Sequence, residues 1–132
     1  MIDSNRLDEI IKNYSIVCDC TDNLNTRLII DKNCFAKEIP LVHGAVSDWQ
    51  GYITLLHYKN KFQYQDLFDI KTLLQADSCE SKGISSPVCG MIGSLMSNEV
   101  VKIILGIESN LDGGLLYVNV LNNTFKTLKL NK

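Results

Sequence analysis

The stretch Ser15–Asn23 (SIVCDCTDN) decides the fold, because it joins a strand to a helix. Its first six residues are β-rich and typical of a short strand with both faces covered. Asn23 is a good N-cap for a helix that runs to about Lys37. Pro40 ends that helix, and residues 41–45 form a second short strand. Strand, helix and strand in this order predict a βαβ crossover and an α/β sheet that is parallel at least in part. The helix face predicted to be buried consists of Leu28, Ile29 and Phe35.

The remaining elements extend this unit on both sides. A short amphipathic helix precedes it, with apolar residues at helical spacing: Leu7, Ile10, Ile11 and Tyr14. A strand rich in Ile, Thr and Tyr follows over residues 51–58. Residues 115–120 and 124–130 predict a terminal β-hairpin, so the sheet is expected to end antiparallel. The expected architecture is a Rossmann-like mixed sheet in one domain, residues 1–132.

Two contrasting segments lie between these strands. Residues 59–86 have no steady hydrophobic period and are predicted to be a long, mobile crossover loop. A helix is then expected from Pro87 to Leu105, with Ser86 as its cap and Gly106 as its end. Two glycines inside this helix, Gly90 and Gly93, cost about 1 kcal/mol each relative to alanine. They predict a close backbone approach on that face.

Composition excludes several classes of function. The chain has 13 basic and 15 acidic side chains, a net charge of −2, and no continuous basic stripe, so nucleic acid is not expected as a partner. Apolar stretches such as Leu41–Val46 fall far short of the ~20 residues that span a bilayer. The charged amino terminus lacks the apolar region of a secretory signal. Five cysteines without a C-x-x-C pair fit a reducing compartment, and we expect a cytoplasmic protein.

The first candidate for chemistry is the segment Asp19–Asn23 together with Arg27. Ligands of open α/β sheets usually bind where the carboxyl end of a strand meets the start of a helix. A carboxylate there can hold Mg²⁺, and N–H groups at the helix end attract phosphate. Arg27 would add a fixed positive charge. The alternative is that Asp22 or Asn23 merely caps the helix.

The second candidate is Cys79, which lies in the irregular segment shortly before a helix. An exposed thiol near a helix start is favoured as a thiolate, although a free surface thiol is the alternative. The other cysteines are predicted to be small core residues: Cys18, Cys20, Cys34 and Cys89. Neither His43 nor His57 has a Cys or His within five residues, which disfavours a zinc site and predicts satisfied core or rim histidines.

Several of these segments together resemble one enzyme family. Cys18–Arg27 (CDCTDNLNTR) resembles the D-C-T-D-N-x-x-T-R segment of the ubiquitin-activating-like adenylyltransferases, the ThiF/MoeB/HesA family. Pro40–Ala45 resembles the family's K-P-L-V-x-G-A strand, and Gln50–Thr54 resembles its Q-G-x-hydrophobic-T. Cys79–Lys102 resembles a C-x-x-x-G-x-x-x-P-x-x-G-x-x-G-S-L-x-x-x-E-x-x-K pattern, and Phe125–Leu130 resembles the closing strand. The similarity spans essentially the whole chain, in order.

The resemblance implies ATP-dependent adenylation of the carboxyl-terminal Gly-Gly of a small ubiquitin-like sulfur carrier protein. Such nucleotidyl transfer depends on positioning and charge neutralisation. By position, Asp22 would bind Mg²⁺, Asn23 and Arg27 would organise the ATP site, and Cys79 would serve in sulfur transfer. We expect a ThiS-like carrier of thiamine biosynthesis, with a MoaD-like carrier of molybdopterin biosynthesis as the alternative.

Departures from the family pattern give three further expectations. The glycine-rich nucleotide loop of the family lies upstream of the matched segments, so this chain is expected to be the carboxyl-terminal half of the enzyme domain and inactive alone. A non-catalytic carrier-docking domain is the second hypothesis. Gln63 and Asp66 stand where the family has zinc-binding cysteines, so zinc is expected to be absent. An unprotected sheet edge and face predict self-association as a homodimer.

Overall fold

The computed structural model describes residues 4–69 and 83–130 of the chain. The helices in these residues are α1 (Ser4–Ile11), α2 (Leu24–Ala36), α3 (Tyr64–Leu67) and α4 (Ser86–Leu105). The strands are β1 (Val17–Asp19), β2 (Leu41–Ser47), β3 (Gln50–Leu56), β4 (Gly114–Asn119) and β5 (Thr124–Lys129).

The strands form one mixed sheet in the order β1-β2-β3-β4-β5. Strands β1 and β2 are parallel and joined by α2, which confirms the βαβ crossover. All other neighbouring strands are antiparallel, and β4–β5 is the expected terminal hairpin. Asp48 and Asn123 have φ angles of 55° and 54°, the left-handed conformation that tight hairpin turns need. The mixed α/β fold class is therefore confirmed.

Alternation along the strands divides the core between the two faces of the sheet. Leu41 of β2 and Leu56 of β3 face α1, α2 and α3. Their neighbours Val42 and Leu55 face α4 on the other side. One buried cluster thus lies on each face of the sheet, between the strands and the helices that pack on them. Strands β1 and β5 form the two edges of the sheet in the described residues. Among the described residues, β1 pairs with β2 alone.

Helix α4 packs closely on the sheet, but its own glycines are not the reason. A Cβ added to Gly90 or Gly93 would meet no atom within 4 Å among the described residues, so that prediction is wrong. The glycines that permit the approach belong to the strands. A Cβ on Gly44 would lie 2.4 Å from Met96 Sδ, and one on Gly51 would lie 2.6 Å from Ile92 Cγ1.

Within the predicted crossover loop, residues 59–69 contain the single turn α3 and bury Phe62 and Tyr64 in the core; residues 70–82 lie outside the described residues. Two other predictions need correction. Of the predicted α2 face, Leu28 and Ile29 pack against the core, but Phe35 is exposed and Cys34 is fully buried. Ser85, not Ser86, is the N-cap of α4. Gly106 ends α4 as predicted, with a φ angle of 68°.

In the part of the chain that the structure describes, one helix meets the length and composition of a membrane span. It is α4, with a mean hydropathy of 1.5 and 22% of its most apolar window buried. Core helices of soluble proteins satisfy the same criterion, so one such helix is a weak indication. Its inner side packs on β2 and β3, whereas Val101, Ile104 and Leu105 are exposed.

Candidate functional site

The site begins at the last residue of β1. Asp19 is 1% exposed, and its carboxylate accepts three hydrogen bonds. Oδ1 receives the Thr21 N–H at 2.9 Å and the Thr21 hydroxyl at 2.7 Å, and Oδ2 receives His43 Nδ1–H at 2.7 Å. Burial raises the pKa of Asp19, but the bonds and charge of His43 and the bonds of Thr21 outweigh it, so the pKa lies below its ordinary value. Asp19 therefore anchors the turn between β1 and α2.

The turn leads directly into the start of α2. Asn23 caps this helix, with its side-chain oxygen accepting the Thr26 N–H at 2.8 Å. Arg27, one turn into the helix, donates from Nε and Nη2 to the Thr21 carbonyl at 3.1 and 2.7 Å. Asp22 is exposed between them, and its Oδ1 accepts a bond of 3.3 Å from Asn23 Nδ2. The capping role is thus present, and Asp22 follows directly after the residue whose carbonyl Arg27 binds.

A cavity of about 320 Å³ opens beside this turn. One wall is Thr21, Asp22 and Arg27, and the other is the first half of α4. Arg27 is the only cationic side chain lining it in the described residues. The remaining lining residues are apolar or thiol-bearing: Cys20, Gly44, Ala45, Val46, Ile84, Cys89, Ile92, Gly93 and Met96. The cavity thus joins one carboxylate and one guanidinium to a largely apolar wall.

The cysteines are distributed differently from the sequence prediction. Cys34 is a core residue as predicted, and burial, followed by the charges of Asp31 and Asp19, raises its pKa to about 12. Cys18, Cys20 and Cys89 are exposed, so their assignment to the core is wrong. Cys18 lies in β1 and Cys20 directly after it, at an edge of the sheet where no second strand pairs with β1 in the part of the chain that the structure describes. Partial burial and the charge of Asp19 still raise the pKa of Cys20.

A second cavity, of about 280 Å³, lies near the first and shares Arg27 with it. Its lining is mainly aromatic and includes Tyr52, Tyr64 and Phe68. The Tyr52 hydroxyl lies 3.2 Å from His43 Nε2, so both ring nitrogens of this buried histidine are bonded. Burial, followed by the neighbouring Tyr64, raises the pKa of Tyr52. His43 is therefore a satisfied core histidine, as expected.

The structure brings together three of the four predicted site residues, Asp22, Asn23 and Arg27. Cys79 lies outside the described residues. Asp19 belongs to the predicted segment, but its bond to the buried His43 was not predicted. Only their adjacency in the parallel register of β1 and β2 reveals it, and that register depends on the fold.

The donor set at the turn fits Mg²⁺ better than zinc. One exposed carboxylate with room for water and phosphate ligands is typical of magnesium–nucleotide sites. Asp22 would hold the ion, and Arg27 would face the phosphates. Within residues 4–69 and 83–130, no group of three or more His, Cys, Asp or Glu side chains could hold a metal. At the position of the family's cysteines, Asp66 instead accepts the Gln63 N–H at 2.8 Å and caps α3.

Comparison with curated proteins reveals relatives along almost the whole chain. The chain is 36% identical over 130 residues to a probable molybdopterin-synthase adenylyltransferase of Gracilaria tenuistipitata var. liui, covering 98% of this chain and 37% of the relative. It is 33% identical to the molybdopterin-synthase adenylyltransferase of Haemophilus influenzae, covering 98% and 53%. It is 37% identical to the adenylyltransferase and sulfurtransferase MOCS3 of Caenorhabditis briggsae, covering 99% and 33%. The chain thus spans between a third and about half of these relatives.

Solved structures support the same fold. Escherichia coli MccB, crystallised with MccA, matches with a TM-score of 0.74 and 14% identity, covering all of this chain and 40% of that one. PaaA matches with a TM-score of 0.71 and 16% identity, covering 99% and 47%. The model of the ThiF family matches residues 1–132. With this match, the relatives and the mixed sheet in agreement, the chain belongs to the ThiF family.

Proposed function

We propose that the protein takes part in the ATP-dependent adenylation of the carboxyl terminus of a small sulfur carrier protein. The observation that carries this proposal is the turn from β1 to α2, where an exposed Asp22 lies beside Arg27 at the mouth of a cavity. Asp22 would hold the Mg²⁺ that neutralises the phosphates. Arg27 would orient them, and the capped start of α2 adds N–H groups that favour negative charge.

The relatives bear on which carrier is used. The algal, bacterial and nematode relatives are named for molybdopterin synthase or as MOCS3, and the thiamine branch favoured from sequence finds no support among these names. We therefore propose a MoaD-like carrier. The apolar wall of the cavity suits a small, uncharged tail such as Gly-Gly, whose terminal carboxylate would lie near Arg27.

We further propose that these residues form half of an ATP site. A triphosphate carries several negative charges, and Arg27 is the only cation lining the cavity in the described part of the chain. Phosphoryl and nucleotidyl transfer depends on fuller neutralisation than one guanidinium supplies. The 132-residue chain alone is expected to bind the carrier and to catalyse no adenylation.

The test is carrier-dependent ATP–pyrophosphate exchange in two proteins. One is the chain itself, and the other is a chimera in which the chain is fused to the part of the Haemophilus influenzae relative that it does not cover. We expect exchange from the chimera only. Asp22→Ala should lower it by on the order of a hundredfold, because a metal carboxylate is lost, whereas the nearby exposed Asn25→Ala should leave it unchanged. Exchange that survives Asp22→Ala would overturn the magnesium assignment.

The second candidate function is a carrier-docking domain without chemistry. The presence of one cation, Arg27, among the described lining residues of the cavity favours it, because docking needs no charge neutralisation. It predicts carrier binding by the chain, together with a chimera that is folded and still gives no exchange.

Two finer proposals have their own tests. We propose that Cys79 acts after adenylation, so Cys79→Ser in the chimera should retain exchange and lose sulfur transfer; loss of both would contradict this role. We also propose self-association, which is supported by the open β1 edge and the exposed apolar side of α4. Light scattering should give twice the chain mass of 14.8 kDa, and Ile104→Glu should shift it toward monomer. A monomer at every concentration would contradict a dimer.

A further inference from the structure

A continuous run of hydrogen bonds connects a buried histidine to the turn that forms the site. His43 bonds to Asp19 at 2.7 Å, and Asp19 bonds twice to Thr21 at 2.9 and 2.7 Å. The carbonyl of Thr21 then receives two donors from the guanidinium of Arg27. Neither the names of the relatives nor the proposed chemistry gives His43 a part in this arrangement.

The chemistry of the groups fixes the direction of each bond. The guanidinium of Arg27 can only donate, so the Thr21 carbonyl accepts. Asp19 is an ionised acceptor on both oxygens. Nδ1 of His43 therefore carries a hydrogen whether the ring is neutral or charged. Its other nitrogen, Nε2, faces the Tyr52 hydroxyl and takes no part in holding the turn.

The sheet register explains why the histidine controls the orientation of Asp19. His43 and Asp19 are direct neighbours on parallel strands, and both are at most 1% exposed. Oδ2 of Asp19 meets no other donor in the described residues, so loss of the Nδ1 hydrogen would leave a buried carboxylate oxygen unsatisfied. Such an oxygen is costly, and the carboxylate would be expected to turn or admit water. Rotation of the carboxylate would move Oδ1 and break at least one of its two bonds to Thr21.

We infer that His43 is a positioning residue for the site of Asp22 and Arg27, acting through the Nδ1 hydrogen that fixes Asp19 and thereby Thr21. The inference rests on the proposed function for what the site binds. The geometric part, that His43 holds the turn, stands independently of it.

A pair of amide variants in the 132-residue chain separates the two ring nitrogens. The side-chain nitrogen of Asn lies near the position of Nδ1, so His43→Asn keeps a donor toward Asp19. The longer Gln places its nitrogen near Nε2, so His43→Gln keeps a partner for Tyr52 and loses the donor. Tyr52→Phe is the matched control, because it breaks the other bond of the same ring. Hydrogen exchange of the Thr21 amide is the measurement, with the core amide of Leu55 as internal reference.

We expect His43→Gln to speed exchange of the Thr21 amide by about tenfold relative to Leu55, from the loss of a charged hydrogen bond. His43→Asn and Tyr52→Phe should stay close to wild type at Thr21. Equal loss of protection in all three variants would overturn the inference, since His43 would then act through core packing alone. Unchanged protection in His43→Gln would overturn it as well.

Titration of the chimera and its His43 variants with Mg²⁺-pyrophosphate tests the proposed function separately, because the chain alone is proposed to hold half of the site. Affinity that falls in His43→Gln and not in His43→Asn supports both the phosphate site and the positioning role. Equal affinity in the two variants contradicts a role of His43 at the site. If wild type binds nothing while the exchange results hold, the phosphate site fails and the positioning of the turn is supported.

Discussion

Two buried histidine–aspartate pairs in this molecule have nearly the same length and different surroundings. His43 Nδ1 and Asp19 Oδ2 are 2.7 Å apart at the carboxyl end of β1. His57 Nε2, directly after β3, is 2.8 Å from Asp31 Oδ1 of α2. Both nitrogens of His43 are bonded, whereas His57 Nδ1 is buried with no partner in the described residues. His57 also has a φ angle of 57°, a left-handed conformation that costs a non-glycine residue energy.

The difference shows how one chemical pair serves two purposes. Asp31 uses the same oxygen for His57 and for the N–H of Tyr64, so it ties α2 to the chain after β3. Asp19 uses one oxygen for the sheet and the other for the turn that carries the site. The pair of His57 and Asp31 therefore links α2 to the segment after β3, whereas the pair of His43 and Asp19 connects the core to the surface where chemistry is proposed.

The largest expected effect comes from removing each aspartate. Asp19→Ala should lower the free energy of unfolding by about 3–5 kcal/mol, because it leaves buried donors of His43 and Thr21 unpaired. Asp31→Ala should cost less, about 1–3 kcal/mol, since it removes two bonds made by one oxygen. Urea denaturation followed by circular dichroism measures both. A larger loss for Asp31→Ala would reverse the ranking of the two pairs.

The carboxylates of both pairs raise the pKa of the buried Cys34, so the reactivity of this thiol reports on both pairs. With a pKa of about 12, it should react with iodoacetamide on the order of a thousandfold more slowly than an ordinary thiol at pH 8. The exposed Cys89 is the internal control, and mass spectrometry separates the two sites. Comparable labelling of Cys34 and Cys89 in the folded protein would contradict the core position of Cys34.

Substitution by glutamine should cost less stability at His57, whose Nδ1 has no partner in the described residues, than at His43, whose two ring nitrogens are both bonded. His57→Gln can keep the bond to Asp31 and removes the unpartnered Nδ1, so stability should stay within about 1 kcal/mol of wild type. His43→Gln loses the donor to Asp19 and should cost about 1–3 kcal/mol. Thermal melting of both variants tests this contrast. Equal costs would mean that the orphaned nitrogen of His57 has a partner in solution.

The smallest expected effect is on the pH dependence of stability in acid, which reflects the lowered pKa of Asp19. The pKa of Asp19 is lower folded than unfolded, so its stabilisation is fully present above the unfolded value of about 3.9 and is lost as pH falls through the folded value. Asp19→Asn should flatten the decline of stability in that range. Glu38→Gln is the control. The hydrogen bond from Lys61 also lowers the pKa of Glu38, but this pair is fully exposed, so salt should screen its contribution to stability. An unchanged decline in Asp19→Asn would contradict the lowered pKa.

The sequence predicts what depends on local pattern. The N-cap Asn23, the end of α4 at Gly106 and the terminal hairpin all follow from residues adjacent in the chain. Asp22, Asn23 and Arg27 come together for the same reason, since one cap and one helical turn join them. These features need no knowledge of distant contacts.

What the sequence does not predict depends on pairing across the sheet. Cys18 and Cys20 look buried in a β-rich run, and only the position of β1 at an edge exposes them. Asp19 and His43 are 24 residues apart, so their bond depends on the parallel register. The glycine signal at the α4–sheet contact pointed to the helix, whereas the space is made by Gly44 and Gly51 on the strands.

Gly44 and Gly51 also determine where one wall of the cavity lies. Together they leave room on the sheet for Met96 and Ile92, and this sets how closely α4 approaches the strands. The same helix carries Cys89 and Gly93 in the cavity wall. A methyl group added at Gly44 would collide with Met96 and Ile92 and displace α4 from the sheet, so that the cavity wall would move with the helix. Two glycines of the sheet thereby set the distance between the strands and one wall of the cavity.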